Sequence, residues 1–151
     1  MIAVGAAVAY QVLAVLVIVP ALQRLTGRPI DLSQLSGLRG DLPALLLWLT
    51  VSWTLAAFLE EMVFRGYVVN RLNGLVGYRL AGTVIAVCAS AGLFGVAHRY
   101  QGVTGVVENV LTGLLLATLY VLGRRNLWIP ILTHGAIDTI GFLLIFWGLL
   151  R

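Results

Sequence analysis

Two adjacent carboxylates and an arginine, Glu60, Glu61 and Arg65, lie in an otherwise apolar run between residues 43 and 69. Placing an ionised side chain in a lipid-embedded helix is costly, so these residues are candidates for a functional site. In a helix, Glu61 and Arg65 share a face and can form an ion pair. Glu60 points about 100° away and lacks that cation. We therefore predict that Glu60 can accept a proton from water. The alternative is that all three residues form a purely structural buried ion network.

Two histidines in other apolar runs could take part in the same reaction as Glu60. His134 and Asp138 are four positions apart, so on a helix the carboxylate can orient the imidazole or stand beside it as a second polar group. Phe94 and His98 have the same spacing, which places the phenyl ring one helical turn below the imidazole. Because the two histidines belong to separate helices, a shared site would have to be assembled in the core of a helix bundle.

The residue types allow two kinds of hydrolytic site. Glu60, His98 and His134 could bind zinc and leave one position open for a water molecule. Without a metal, Glu60 could act as the general base on water, with His98 assisting. His134 and Asp138 would then stabilise the oxyanion of an attacked amide. The spacing does not choose between them, although the H-E-x-x-H pattern that would favour zinc strongly is not in the sequence.

The composition places these groups in a membrane protein. Hydrophobic residues make up 60% of the 151 residues and charged residues only 11%, and the mean hydropathy is +0.99. A soluble domain carries far more charge. We predict an all-α, multi-pass transmembrane bundle of about five helices with a polar site buried in its core. The net charge of +4 comes from arginine alone without a clustered basic face, which argues against nucleic acid as a partner.

The apolar runs and their breaks predict where the helices begin and end. Pro20 is expected to end the first helix, and Asp41 followed by Pro43 has the pattern of a helix start. Asn73, Gly74 and Gly77 are expected to mark a turn after the second helix. The third helix is rich in small residues and is therefore expected to pack closely against a neighbour. The predicted helices span residues 2–19, 43–70, 80–98, 103–122 and 127–150.

Three motifs on these helices, taken together, resemble the CPBP family of intramembrane proteases, which contains the CAAX prenyl endopeptidases and the Abi bacteriocin-processing or self-immunity proteins. They are E-E-x-x-x-R at 60–65, F-x-x-x-H at 94–98 and H-x-x-x-D at 134–138. The resemblance covers residues 43–142, which would be the protease core of a single integral membrane domain spanning residues 1–151.

The resemblance implies an endopeptidase that hydrolyses a peptide bond at the membrane. Glu60 and His98 would activate water, and His134 with Asp138 would complete the site. The supporting positions are Glu61, Arg65 and Phe94. Many members have asparagine at the position of Asp138, and the extra charge slightly favours a metal-binding or histidine-orienting role. The implied mechanism needs no cofactor, with zinc as the alternative through His98, His134 and Glu60.

The implied partners are the lipid bilayer and a peptide or membrane-protein substrate, with no indication of the oligomeric state. A lipidated C-terminus, a bacteriocin leader and a membrane-protein segment are the substrate candidates. The absence of lysine and the abundance of alanine and glycine suggest a prokaryotic source and hence the inner (plasma) membrane. The alternative from another class is a non-catalytic membrane protein, either an immunity or scaffold protein or a proton or ion path.

One geometric condition must hold for a shared site. His98 lies about 27 Å along the third helix at 1.5 Å per residue, whereas His134 lies near the start of the fifth. Straight helices of equal span would place the two histidines at different depths. We therefore expect either a third helix that starts outside the bilayer or a connection at 99–102 that dips inward over a cavity.

Overall fold

The computed structural model describes residues 2–150 and folds them into helices joined by short connections, with no strand in that range. Five of the helices are long and apolar enough to cross a membrane. The all-α, multi-pass prediction is therefore confirmed. We label these helices α1 (Ile2–Thr26), α2 (Leu42–Val76), α3 (Leu80–Ala97), α4 (Gly102–Leu122) and α5 (Trp128–Phe146).

The first helix does not end at Pro20, so that prediction is wrong. α1 changes to π-helical turns over Ala14–Ile18 and then continues as α-helix over Val19–Thr26. Pro20 therefore lies inside a continuous helix, directly after π-helical turns, whose altered hydrogen-bond pattern accommodates a residue without an N–H. The helix ends instead at Gly27, which has a left-handed φ of 68°.

The second helix begins as predicted and ends later than predicted. The Asp41 side chain accepts a hydrogen bond from the backbone N–H of Ala44 at 2.9 Å, which confirms the helix start. The expected turn is wrong at Asn73 and Gly74, which lie within α2, and is confirmed at Gly77, where φ is 92° and the helix has ended at Val76. Asn73 is fully buried and donates to the backbone oxygen of Gly82 at 3.1 Å, so its amide binds α3 instead of making a turn.

The helices α3 and α4 pack closely through small residues, as the sequence indicated. An added Cβ at Gly113 of α4 would lie only 3.0 Å from the Cα of Ala91 in α3. At Gly95 of α3, it would lie 2.7 Å from the backbone oxygen of Val106. Close backbone approach of this kind is the usual basis of helix association in lipid.

We expect Gly95→Ala to destabilise the protein relative to Gly92→Ala. The new methyl group at Gly95 would overlap Val106 of α4, whereas nothing lies within 4 Å of a Cβ at Gly92, three residues earlier on the same helix. Both changes gain the same helix propensity, so their difference isolates the overlap, which costs about 1–3 kcal/mol in free energy of unfolding. Thermal unfolding in detergent measures it. Equal unfolding midpoints would contradict the close packing described above.

The helix α4 contacts each of the four other helices, and α5 contacts α1, α2 and α4. A buried cluster of Ala7, Tyr10 and Ala14 from α1 packs against Ile137 of α5. Between α1 and α2, the connection over residues 27–41 folds back over one end of the bundle. It is held there by the buried Leu38 side chain and by a hydrogen bond of 3.1 Å from the N–H of Gly40 to the backbone oxygen of Phe146.

Candidate active site

A buried ion cluster lies where α2, α4 and α5 meet. Glu61 and Arg65 are both 0% exposed. Arg65 donates from Nη1 to Glu61 Oε1 at 2.7 Å and from Nη2 to the backbone oxygen of Gly113 at 3.0 Å. Nδ1 of His134 lies 2.9 Å from the same Glu61 oxygen. The predicted ion pair is therefore confirmed, and Glu61 also contacts the histidine of α5.

Phe94 is the side chain that brings the two histidines together. Its ring centroid lies 4.6 Å from that of His98 and 5.7 Å from that of His134. The predicted packing of Phe94 below His98 is confirmed. The Arg65 guanidinium carbon lies 4.6 Å from the centre of the same ring, so Phe94 also covers the buried cation.

The two histidines meet because α3 begins further from the site than α5 does. His98 follows the last residue of the 18-residue α3, whereas His134 lies in the second turn of α5, yet both contact Phe94. The stagger is held by Arg125 in the connection before α5. Arg125 donates to Asn70 and, at 2.6 Å, to Asn73 Oδ1. Both asparagines lie before the last residue of α2. Arg125 therefore attaches the connection between α4 and α5 within that helix and not at its end.

A cavity of about 700 Å³ opens beside this cluster. All four residues expected to be catalytic line it, namely Glu60, His98, His134 and Asp138. Glu61 and Arg65 are not among its lining residues. In the part of the chain that the structure describes, Glu60 takes part in no ion pair, and its Oε2 is buried without a hydrogen-bond partner.

The hydrogen bonds of the histidines indicate which ring nitrogens carry protons. Nδ1 of His98 lies 2.9 Å from the backbone oxygen of Phe94, which can only accept, so this nitrogen carries the proton. In the neutral ring, Nε2 of His98 is then an acceptor. Nδ1 of His134 faces the Glu61 carboxylate and is a donor for the same reason.

Asp138 makes its closest contact with a residue that the sequence analysis did not identify. Its Oδ2 accepts a hydrogen bond of 2.6 Å from the hydroxyl of Ser52 on α2. The distance from the same oxygen to Nε2 of His134 is 3.7 Å, too long for a hydrogen bond but within ion-pair range. Asp138 therefore stands beside the imidazole and is fixed by α2. The only sequence signal for Ser52 is its polarity within an apolar run.

The side chains present do not form a set of metal ligands. No group of three or more histidine, cysteine, aspartate or glutamate side chains within residues 2–150 is arranged to hold a metal ion. In both histidines Nδ1 faces a protein oxygen, which leaves Nε2 as the nitrogen available for chemistry. Glu60, His98 and His134 are therefore not gathered as a set of three metal ligands.

Five apolar helices surround a buried site of carboxylate and imidazole groups. This architecture is that of a polytopic membrane protein with a polar site in its core. The family model described as type II CAAX prenyl endopeptidase Rce1-like matches residues 42–140, about two thirds of the chain, and the chain belongs to this family. The resemblance to the CPBP and CAAX proteases is thus confirmed, and membership supports an intramembrane endopeptidase of the CAAX type. No curated protein and no solved structure gives a significant match.

Proposed function

We propose that this protein is a metal-independent glutamate endopeptidase that cleaves a membrane-anchored polypeptide. The observation that carries the proposal is the contrast between two neighbouring carboxylates. Glu61 is fully buried and bound by Arg65 and His134, whereas Glu60 takes part in no ion pair among the described residues and lines the cavity with both histidines. Glu61 therefore stabilises the structure, and Glu60 is available to act as a base.

In the proposed reaction, Glu60 acts as the general base. It takes one proton from a water molecule while the water oxygen attacks the carbonyl carbon of the scissile peptide bond. Nε2 of His98 accepts the second hydrogen of that water in a hydrogen bond and so aims its lone pair at the carbonyl. When the tetrahedral intermediate collapses, the C–N bond breaks, and Glu60 passes its proton to the leaving amine nitrogen.

His134 stabilises the negative oxygen of the intermediate. With both ring nitrogens protonated, it donates from Nδ1 to Glu61 and presents Nε2–H to the cavity, beside Asp138. A preformed donor of this kind contributes most where water is excluded. Asp138, fixed by Ser52, and Glu61, fixed by Arg65, hold the imidazolium between two carboxylates.

The cavity supports a peptide substrate that approaches from the bilayer. Its walls combine the polar groups above with apolar side chains from α1, α2 and α5, such as Val15, Leu55 and Phe142. The substrate candidates are a lipidated C-terminus, as the family name suggests, a bacteriocin leader or a segment of another membrane protein. The proposed location is the inner (plasma) membrane of a prokaryote.

A library of membrane-tethered reporter peptides tests the proposal. The purified protein is reconstituted in liposomes, and the products are mapped by mass spectrometry. We expect cleavage at a defined bond close to the membrane by the wild type and none by Glu60→Gln, which controls for contaminating proteases. A wild type that leaves every peptide intact, although correctly inserted, would contradict the proposal and favour a scaffold or a proton path.

A further inference from the structure

Glu108 is a carboxylate that the proposed reaction does not use. It lies on α4 and lines the cavity. The hydroxyls of Tyr10 and Thr112 lie 3.0 Å and 2.9 Å from its Oε1 and 2.7 Å from each other. Each hydroxyl carries one proton, so one of them donates to Glu108 and the other donates either to Glu108 or to the first hydroxyl. Oε1 is therefore held by this pair of hydroxyls, and the side chain is kept in one orientation.

The second oxygen of Glu108 has no partner among the described residues. The hydrogen bonds that reach this side chain within residues 2–150 all end on Oε1, and none of the ion pairs there includes Glu108. No arginine is found among the described residues that line the cavity, and His134, which is protonated in the proposed reaction, is paired with Glu61 and Asp138. A cation stabilises a carboxylate in a low-dielectric site. The cavity gives a cationic ligand access to Glu108.

Part of the wall around Glu108 lies outside the family match. Glu108 and Thr112 belong to the matched residues 42–140, whereas Tyr10 belongs to α1, which precedes them. Eleven of the cavity-lining residues lie before residue 42, on α1 or on the connection that follows it. The family match therefore does not specify this part of the wall.

We propose that Glu108 is a specificity-determining residue that binds a lysine or arginine side chain of the substrate close to the cleaved bond. The inference rests on the proposed function, because it assigns the substrate class of the same cavity. A basic side chain would form a charge-assisted hydrogen bond to the free carboxylate oxygen. Tyr10 and Thr112 act as positioning residues, since they fix the other oxygen.

The test measures binding without turnover. Protein carrying Glu60→Gln in liposomes is titrated with fluorescent tethered peptides that differ at one position, with lysine, norleucine or glutamate there, and the position is scanned along the peptide. We expect at one position about tenfold tighter binding of the lysine peptide than of its norleucine counterpart, which has a similar length but no charge. Adding Glu108→Gln should bring the ratio close to one.

A second variant and a control keep the test decisive. Tyr10→Phe removes one of the two hydroxyls that hold Glu108 while keeping the ring, and we expect it to lower the lysine preference severalfold. Thr54→Val, whose hydroxyl bonds only within its own helix, should leave the ratio unchanged. Equal binding of lysine and norleucine peptides at every position, or a lysine preference that survives Glu108→Gln, overturns the inference. If the wild type binds the lysine peptide through Glu108 but never cleaves it, the proposed function fails, and Glu108 is then a binding site for a basic side chain and not a determinant of cleavage.

Discussion

Replacing Glu60 with glutamine is expected to lower kcat for peptide cleavage by about 10²–10⁴-fold, the usual contribution of a general base. Glutamine keeps the size of the side chain and cannot accept the proton of water. Since Oε2 of Glu60 has no hydrogen-bond partner within residues 2–150, the unfolding midpoint should stay close to that of the wild type. KM should change little, because the step that is lost follows binding.

The matched control for this change is Thr54→Val on the same helix. The Thr54 side chain is exposed and bonds only to the backbone oxygen of Thr50, so both activity and stability should be retained. Initial rates on the reporter peptide identified in liposomes provide the comparison. A Glu60→Gln protein that cleaves at the wild-type rate would show that another group activates the water.

Replacing Arg65 with methionine is expected to lower the free energy of unfolding by about 3–5 kcal/mol, the cost of removing one partner of a buried ion pair. The change leaves Glu61 without its arginine partner and the backbone oxygen of Gly113 without its donor. Cleavage should be lost as well, because His134 is held by the same Glu61 oxygen. Chemical or thermal unfolding in detergent measures the stability.

Two further variants separate the buried pair from a general effect of removing arginine. Arg71→Met removes an exposed arginine from the same helix and should change stability by less than about 1 kcal/mol. Adding Glu61→Gln to Arg65→Met removes the carboxylate charge that has lost its arginine partner and should recover part of the lost stability. If the Arg65→Met and Arg71→Met proteins have the same unfolding midpoint, the buried cluster does not stabilise the fold.

The local part of this architecture could be predicted from the sequence. Helical spacing alone places Glu61 against Arg65 and Phe94 below His98, since both pairs are four positions apart. The capping pattern at Asp41 predicts the start of α2 for the same reason, because the cap and its donor are close in the chain. The count of five membrane helices follows from apolar runs that are long enough to span a bilayer.

The remaining features depend on contacts between distant residues, which leave no local pattern. Tyr10 and Glu108 are 98 positions apart, and Ser52 and Asp138 are 86 apart, so no spacing rule joins them.

The end of α1 was predicted wrongly because a π-helical stretch before Pro20 allows the helix to continue. The segments Ser52–Glu60 and Met62–Val69 around the acidic pair are also π-helical, and nothing in the sequence indicated this.

The central claim is that a glutamate-bound water cleaves the peptide without a metal. The most direct measurement is the cleavage rate of the wild-type protein after exhaustive treatment with a strong chelator, with its metal content determined by mass spectrometry on the same sample. The account predicts an unchanged rate at a metal content far below one ion per chain. A rate that falls with the bound metal and returns when zinc is added back would contradict it, and would assign Glu60, His98 and His134 to a zinc site.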